Sequence, residues 1–374
     1  MLLAVKVIPL VNQKYKYILL YSAKAGCTSL RSLYLSVHQD EMDDSQLATL
    51  DWYHNLNEVQ PFDPLADYSD YYVYCVTRNP YSRVVSAFLD QYAYTRNFGV
   101  QAMMKSCPPS ATPQSFIQFL EYLAGVPDAK RDTHFQTQSY FPYADMVVTA
   151  KMSIRYRLLG QKPEHAFAIN LVGDIANFKA VTRKAFRQIF KSDKAKHKQA
   201  VQQLNNIKRK NSSFYGEKDF PSAASLTLEQ LDKLVFAPKP QDFYCHPRAI
   251  ELVDQIYQQD FFLFGYQQGT VPHKAASKEI QQIPDDFDWQ MYLRLNPDLP
   301  LAGITNQRSV IRHYLEFGRF ETTPRAYKIE APEGFDWRRY LQVNADLKAE
   351  GISTEMAAIQ HYISYGIRQD RPIS

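Results

Sequence analysis

Apolar runs of strand length alternate with longer stretches of helical periodicity through the first two-thirds of the chain. Tyr17-Ile-Leu-Leu-Tyr-Ser predicts a buried strand, followed by a turn and a helix from about Thr28. Tyr71-Tyr-Val-Tyr-Cys-Val-Thr predicts a second buried strand, and a helical stretch follows from Pro80, a residue suited to a helix's first turn. The start, Met1 to Val11, is also apolar, but Lys6 interrupts it and no basic segment precedes it. It reads as a first strand rather than a signal peptide. Strand, loop, helix in repetition predicts an α/β fold, a parallel sheet flanked by helices with ligands at the carboxyl ends of its strands. The loops after the strands at 17–22 and 71–77 are therefore expected on one rim.

The last quarter has a different pattern. Phe287-Asp-Trp-Gln-Met-Tyr-Leu-Arg-Leu-Asn-Pro-Asp-Leu returns as Phe335-Asp-Trp-Arg-Arg-Tyr-Leu-Gln-Val-Asn-Ala-Asp-Leu. The offset of 48 residues also relates Gly303 to Gly351, His313 to His361 and Gly318 to Gly366. Ungapped agreement of this kind predicts duplicated helical units. Asp288 and Asp336 are the expected N-caps, and Tyr-x-x-Gly the expected helix stop. The repeated histidines suit a packing or hydrogen-bonding role better than a shared ligand site. Residues 269–285 are polar and weakly patterned and read as a linker. The expected organisation is a domain over 1–268, this linker, and a small α-helical repeat region over 286–333 and 334–374. The repeats are candidates for contact with a protein partner or a second copy of the chain.

Composition excludes several classes. At 374 residues, 45% hydrophobic and 22% charged, the chain is globular rather than disordered or fibrous. No apolar run approaches the ~18 residues of a membrane span, so no span is expected and the setting reads as cytoplasmic. The four cysteines are far apart with no CxxC pairing, which suggests neither a disulfide framework nor a zinc site. No metal is expected.

Charge is distributed unevenly. Lys179 to Lys210 holds eleven Lys and Arg against one acid, Asp193, a local +10 within a total of +4. Such a run is either a solvated helix face or a surface for an anionic partner. Nucleic acid is not expected. No zinc-finger or RNP-like pattern accompanies the run, and Phe178, Phe186 and Phe190 have the spacing of core residues.

Two loops carry candidate chemistry. Ser22-Ala-Lys-Ala-Gly-Cys-Thr-Ser joins the first buried strand to its helix. Gly26 allows close backbone approach, the helix N-terminus presents free N–H groups, Thr28 and Ser29 add hydroxyls, and Lys24 adds charge. Together these make a phosphate cradle. It is not the Gly-x-x-x-x-Gly-Lys-Ser/Thr nucleotide loop, since the lysine precedes the glycine and a second glycine is absent. In the second loop, Arg78-Asn-Pro-Tyr-Ser-Arg-Val-Val-Ser, Arg78 leaves a strand end and Ser86 lies two turns into the next helix. An arginine fork and a hydroxyl suit a phosphate, although Arg78 and Arg83 alone would equally serve as surface ion pairs.

Both loops together resemble the sulfotransferases, in their carbohydrate sulfotransferase branch. In that family a Pro-Lys-x-Gly-Cys/Thr-Thr-Ser loop holds the 5′-phosphosulfate of 3′-phosphoadenosine 5′-phosphosulfate. An Arg-Asp-Pro-x-x-Arg-x-x-Ser segment about fifty residues later holds the 3′-phosphate. Ala23 to Ser29 and Arg78 to Ser86 match, with 54 residues from Lys24 to Arg78. Ala23 and Asn79 depart from the family's Pro and Asp. Thr133-His-Phe-Gln-Thr-Gln is similar to the family's His-Trp-x-x-Gln stretch. Gln259-Asp-Phe-Phe-Leu-Phe-Gly-Tyr is similar to its closing Asp-Phe-x-x-Phe-Gly-Tyr. The resemblance covers about residues 15–268 and not the repeats.

The resemblance implies sulfuryl transfer by in-line displacement to a hydroxyl of a carbohydrate acceptor, an acidic glycan among the candidates. Lys24 would stabilise charge on the leaving oxygen. Lys24, Ala25, Gly26, Cys27, Thr28 and Ser29 would hold the 5′-phosphosulfate, and Arg78 with Ser86 the 3′-phosphate. A general base is needed. His54 is the first candidate, His134 the second, and Glu58 a distant third. Two other functions fit parts of the pattern. One is a nucleotide-dependent phosphotransferase, weakened by the wrong loop order. The other is a glycan-binding scaffold with a vestigial nucleotide site, in which the aromatic repeats would do the binding.

Overall fold

Strands β1 (Leu10–Asn12), β2 (Tyr17–Tyr21), β3 (Tyr72–Thr77), β4 (Val147–Thr149) and β5 (Phe167–Asp174) form one sheet in the order β1-β2-β3-β5-β4. The computed structural model describes residues 9–42, 67–95, 98–105, 107–138, 147–149, 167–207, 214–275, 277 and 282–373. Strands β2 to β5 are parallel, whereas β1 pairs antiparallel with β2 at the edge. Of the expected first strand, Leu10 and Val11 belong to β1, a short hairpin partner that makes the sheet mixed at that edge, and residues 1–8 lie outside the described residues.

The apolar runs have a physical cause: both sheet faces are covered. On one face Tyr17, Leu19, Tyr74 and Val76 pack with Leu30, Leu33 and Val37 of helix α1 (Cys27–His38). Among the described residues the remaining α-helices of this unit are α2 (Pro80–Ala87), α3 (Phe98–Met103), α4 (Phe116–Ala124), α5 (Phe178–Ile189), α6 (Lys194–Asn206), α7 (Leu228–Asp232), α8 (Pro247–Ile256) and α9 (Gln258–Phe264). Ala185, Phe186 and Ile189 of α5 and Ala200 and Leu204 of α6 complete that first face. Ile18, Leu20, Val73, Cys75 and Ile169 face the other way, against Tyr68 and Phe264. Burying each large apolar side chain contributes roughly 1.5–3 kcal/mol, so two-sided burial fixes the strand register firmly.

That register builds the rim. Tyr21 is level with Val76, and Thr77 with Asp174, so β2, β3 and β5 end together. The chain divides into two compact units. The first comprises residues 1–213, 218–233 and 237–275, and the second 214–217, 234–236 and 276–374. Within 269–285, Lys274 is anchored to the first unit, its N–H donating to Gln241 and its carbonyl accepting from the same amide.

The second unit is helical. Trp289–Leu295, Asp298–Leu301 and Gln307–Glu316 are followed 48 residues on by Trp337–Val343, Asp346–Ala349 and Glu355–His361. Asp288 and Asp336 cap the first helix of each set, accepting from Gln290 and Met291 and from Arg338 and Arg339. His313 Nδ1 lies 2.9 Å from the Tyr292 hydroxyl, and His361 Nδ1 3.0 Å from that of Tyr340. Gly318 and Gly366 sit where a Cβ would run into the same two hydroxyls, which accounts for the repeated glycine. Among the described residues no helix is long and apolar enough to cross a membrane.

Candidate functional site

The loop leaving β2 is a tight turn made by two left-handed residues, Lys24 at φ 64° and Gly26 at φ 81°. Glycine adopts that conformation freely, whereas lysine there costs about 1–2 kcal/mol. The Ala25 N–H closes the turn on the Ser22 carbonyl at 3.1 Å. Gly26 also has no room for a side chain, since a Cβ would run into Ile175 in the loop after β5. α1 then starts at Cys27 without a side-chain cap, and its first helical bond is Leu30 N–H to the Gly26 carbonyl. The N–H groups of Cys27, Thr28 and Ser29 therefore face outward without helical acceptors, and all three residues are half-buried. A phosphate fits this end.

Lys24 extends from the turn to Asp90, whose Oδ2 lies 2.5 Å from Nζ. Asp90 belongs to a π-helical turn, Phe88–Tyr94, that continues α2. Such turns occur often at functional sites.

Arg78 leaves β3 and reaches back to the first loop. Its Nη1 donates to the Lys24 carbonyl at 3.1 Å and its Nε to the Ser82 hydroxyl at 3.2 Å. Among the described residues no carboxylate pairs with it, so its charge is available to an anion. The Gln138 side chain clasps the Arg78 backbone, accepting from its N–H at 2.8 Å and donating to its carbonyl at 2.7 Å. Asp260, fully buried on α9, fixes Gln138 by accepting from its N–H at 2.8 Å. Asn79 takes over a capping role at the family's Asp position, its side chain accepting from Tyr81 N–H at 3.0 Å.

Arg83 is not a surface ion pair. It is 1% exposed, and its guanidinium donates to the carbonyls of Ala23 at 3.0 Å and Gln136 at 2.8 Å. Its cation also sits over the Tyr257 ring at 5.9 Å. It is a structural tie between the two loops and the 133–138 segment. Ser86 is 8% exposed on α2, three residues beyond Arg83.

The base candidates stand differently. His54 and Glu58 lie outside the described residues. His134 is in the turn before Gln136, its Nδ1 2.7 Å from Asp132 Oδ1. A carboxylate that orients an imidazole is an arrangement used by general bases. The third rim loop is tied to the second by Tyr266, whose hydroxyl donates to Asp174 at 2.6 Å and pairs with Thr77 at 2.8 Å. Burial, with Asp174 beside it, pushes that phenol well above its usual range, so Tyr266 stays protonated.

The residues missed from sequence are Asp90, Gln138 and Asp260. The last two lie inside stretches quoted above for their resemblance, so a signal existed without a role. The basic segment also needs a correction. Lys196 is 6% exposed and paired with Asp40 and Glu41, hence closed to an outside anion. The Lys208-Arg-Lys stretch lies outside the described residues. No group of His, Cys, Asp and Glu that could hold a metal occurs among the described residues.

Comparison with known proteins gives one match: residues 9–267 fit the model described as the sulfotransferase family. No curated protein and no solved structure matches the chain.

Proposed function

The chain belongs to the sulfotransferase family, and we propose that it moves a sulfuryl group from 3′-phosphoadenosine 5′-phosphosulfate to a hydroxyl of a carbohydrate acceptor. The observation that carries this reading is the bond from Arg78 to the Lys24 carbonyl, which joins the two loops. The donor supplies an activated sulfuryl group whose leaving oxygen takes up negative charge. The N–H groups of Cys27, Thr28 and Ser29 hold the 5′-phosphate, and Arg78, with Ser86, the 3′-phosphate. Lys24 turns from Asp90 to the leaving oxygen, where its ammonium stabilises the transition state more than the ground state. His54 or His134 takes the proton of the acceptor hydroxyl. An acidic acceptor would be drawn by the basic segment. A protein partner or second copy at the 286–374 repeats is part of the proposal, as is a cytoplasmic location. All four cysteines are free thiols, which suits a reducing compartment.

Titration with adenosine 3′,5′-bisphosphate beside adenosine 5′-monophosphate tests the reading. Binding should demand the 3′-phosphate, and Arg78→Ala should weaken it about 10–100-fold, the worth of one charge-assisted contact. Equal, feeble binding of both nucleotides would remove the donor site and the function with it.

A further inference from the structure

Gln138 joins the two rim loops, and a buried carboxylate decides how its amide lies. The side chain is buried, and both its oxygen and its nitrogen are doubly engaged. Oε1 accepts from the Ser22 hydroxyl of the first loop at 3.3 Å and from the Arg78 N–H of the second at 2.8 Å. Nε2 donates to the Arg78 carbonyl at 2.7 Å and, more loosely, to Asp260 Oδ2 at 3.4 Å. The same carboxylate oxygen accepts from the Gln138 N–H at 2.8 Å.

This clasp fixes a direction. Held at both its N–H and its carbonyl, Arg78 has the peptide planes on either side of its Cα set, and with them the line along which its side chain leaves β3. The guanidinium then reaches the Lys24 carbonyl through Nη1 and the Ser82 hydroxyl through Nε, and among the described residues Nη2 makes no hydrogen bond. An amide can face Arg78 either way round, but only one way offers oxygen to the N–H and nitrogen to the carbonyl. A carboxylate accepts and cannot donate, so Asp260 beside Nε2 selects that way. Asp260 is completely buried, next to the buried Phe261 on α9. Burying a carboxylate works against stability, and an apolar residue of similar volume would sit there at less cost. Stability alone therefore does not explain the placement, whereas orienting the amide does.

We infer that Asp260 is a positioning residue for donor selectivity: acting through Gln138, it aims Arg78 at the 3′-phosphate and so sets how strongly the site prefers a nucleotide that carries one. The identity of the nucleotide rests on the proposed function. Asp260 touches no ligand in this scheme, and its effect reaches the anion only through Gln138 and Arg78. The Ser22 hydroxyl, bound to the same Oε1, brings the first loop under the same control, so the sites for the two phosphates keep a fixed span.

The test titrates the full chain with adenosine 3′,5′-bisphosphate and adenosine 5′-monophosphate and reads the ratio of the two dissociation constants beside the thermal midpoint. The variants are Asp260→Asn and Asp260→Leu, each alone and combined with Arg78→Ala. Tyr34→Phe, which removes a buried hydrogen bond to the Val11 carbonyl, is the control for lost stability. Asparagine can still accept from the Gln138 N–H but no longer dictates which end of the amide faces it, so Asp260→Asn should lower the ratio roughly three- to tenfold. Asp260→Leu should lower it by about tenfold or more, with monophosphate affinity changed by no more than about twofold in either variant. In the Arg78→Ala background neither substitution should lower the ratio further, because the relay ends at that residue. Tyr34→Phe should lower the midpoint and leave the ratio as it is. A ratio kept in both Asp260 variants, a fall shared by Tyr34→Phe, equal weakening of both nucleotides, or a further fall beyond Arg78→Ala would overturn the inference. A parent chain that binds both nucleotides equally would strike the proposed function and this inference with it, whereas a selective parent with equally selective variants would strike the inference alone.

Discussion

The ammonium of Lys24 rests on the carboxylate of Asp90, 2.5 Å away and 66 residues later in the chain. In the proposed reaction the pair would hold the cation in reserve and set a negative charge where a negatively charged donor would enter. Asp90→Asn should therefore tighten adenosine 3′,5′-bisphosphate binding by on the order of 1 kcal/mol, about fivefold in Kd. Lys24→Ala should lower turnover about 10²–10³-fold, the scale of a lost transition-state contact, while nucleotide affinity changes far less. Titration and steady-state rates on both variants check this. Unchanged turnover in Lys24→Ala would sink the role given to that residue.

Arg83 ties Ala23 to Gln136 from a position with almost no exposure. Removing it leaves the buried Gln136 carbonyl and the half-buried Ala23 carbonyl without this donor, a loss of about 1–3 kcal/mol at the buried one and less at the other. Arg83→Ala should lower the thermal midpoint by several degrees, and Arg83→Lys should recover only part, since one ammonium cannot span both acceptors in the fork's geometry. An unchanged midpoint in Arg83→Ala would mean that the tie is not formed in solution.

Gly26 meets two separate demands, a positive φ and contact with Ile175. Gly26→Ala should cost about 1–2 kcal/mol from conformation alone and more from the clash. Adding Ile175→Ala should relieve the clash but not the backbone strain, so stability and nucleotide affinity should return only in part. Full recovery in the double variant would show that the left-handed turn is not required.

Much of this was legible in the sequence, for identifiable reasons. Two-sided burial turns β2 and β3 into continuous apolar runs, so Lys24 and Arg78 could be placed at strand ends on one rim. The contacts that orient them could not be placed. Gln138 reaches Arg78 across 60 residues and Asp260 reaches Gln138 across 122, and nothing local marks such pairs. Arg83 and Lys196 illustrate the other gap. A charged residue in a polar-looking segment reads as exposed, and only the assembled neighbours show that Ala23, Gln136, Asp40 and Glu41 surround them.

A buried polar cluster behind the sheet predicts acid sensitivity. Burial alone raises the Glu41 carboxyl, but hydrogen bonds from His38, Lys196 and Asn12 outweigh it and bring Glu41 down to about 2. Burial lowers His38 below its ordinary value. A depressed carboxyl adds stability above about pH 4.5 that is lost as pH falls towards 2, because the unfolded chain takes the proton first. The lowered histidine acts in the same direction, its contribution declining as pH falls below about 6.5. Thermal midpoints should thus fall from pH 7 to pH 5 and more steeply below pH 4.5. Lys196→Ala should cost about 3 kcal/mol at pH 7 by leaving a buried charge unpaired. A midpoint flat from pH 7 to pH 3 would contradict the cluster's charge states.

The proton acceptor is the remaining role, and the two histidines make different predictions. His54 is ranked first because of its place before the Arg78 strand. His134 has Nδ1 committed to Asp132, so only its Nε2 could serve, and its turn also positions Gln136 and Gln138. His54→Ala should lower turnover about 10²–10⁴-fold and abolish the acid limb of the pH–rate profile, with nucleotide affinity intact. His134→Ala should loosen the turn and raise the nucleotide Kd modestly while keeping that limb. The reverse pattern, with the acid limb lost only in His134→Ala, would transfer the base to His134 and make Asp132 its orienting carboxylate. In that case Asp132→Asn should share the kinetic defect, since an imidazole without its carboxylate loses both its orientation and its favoured tautomer.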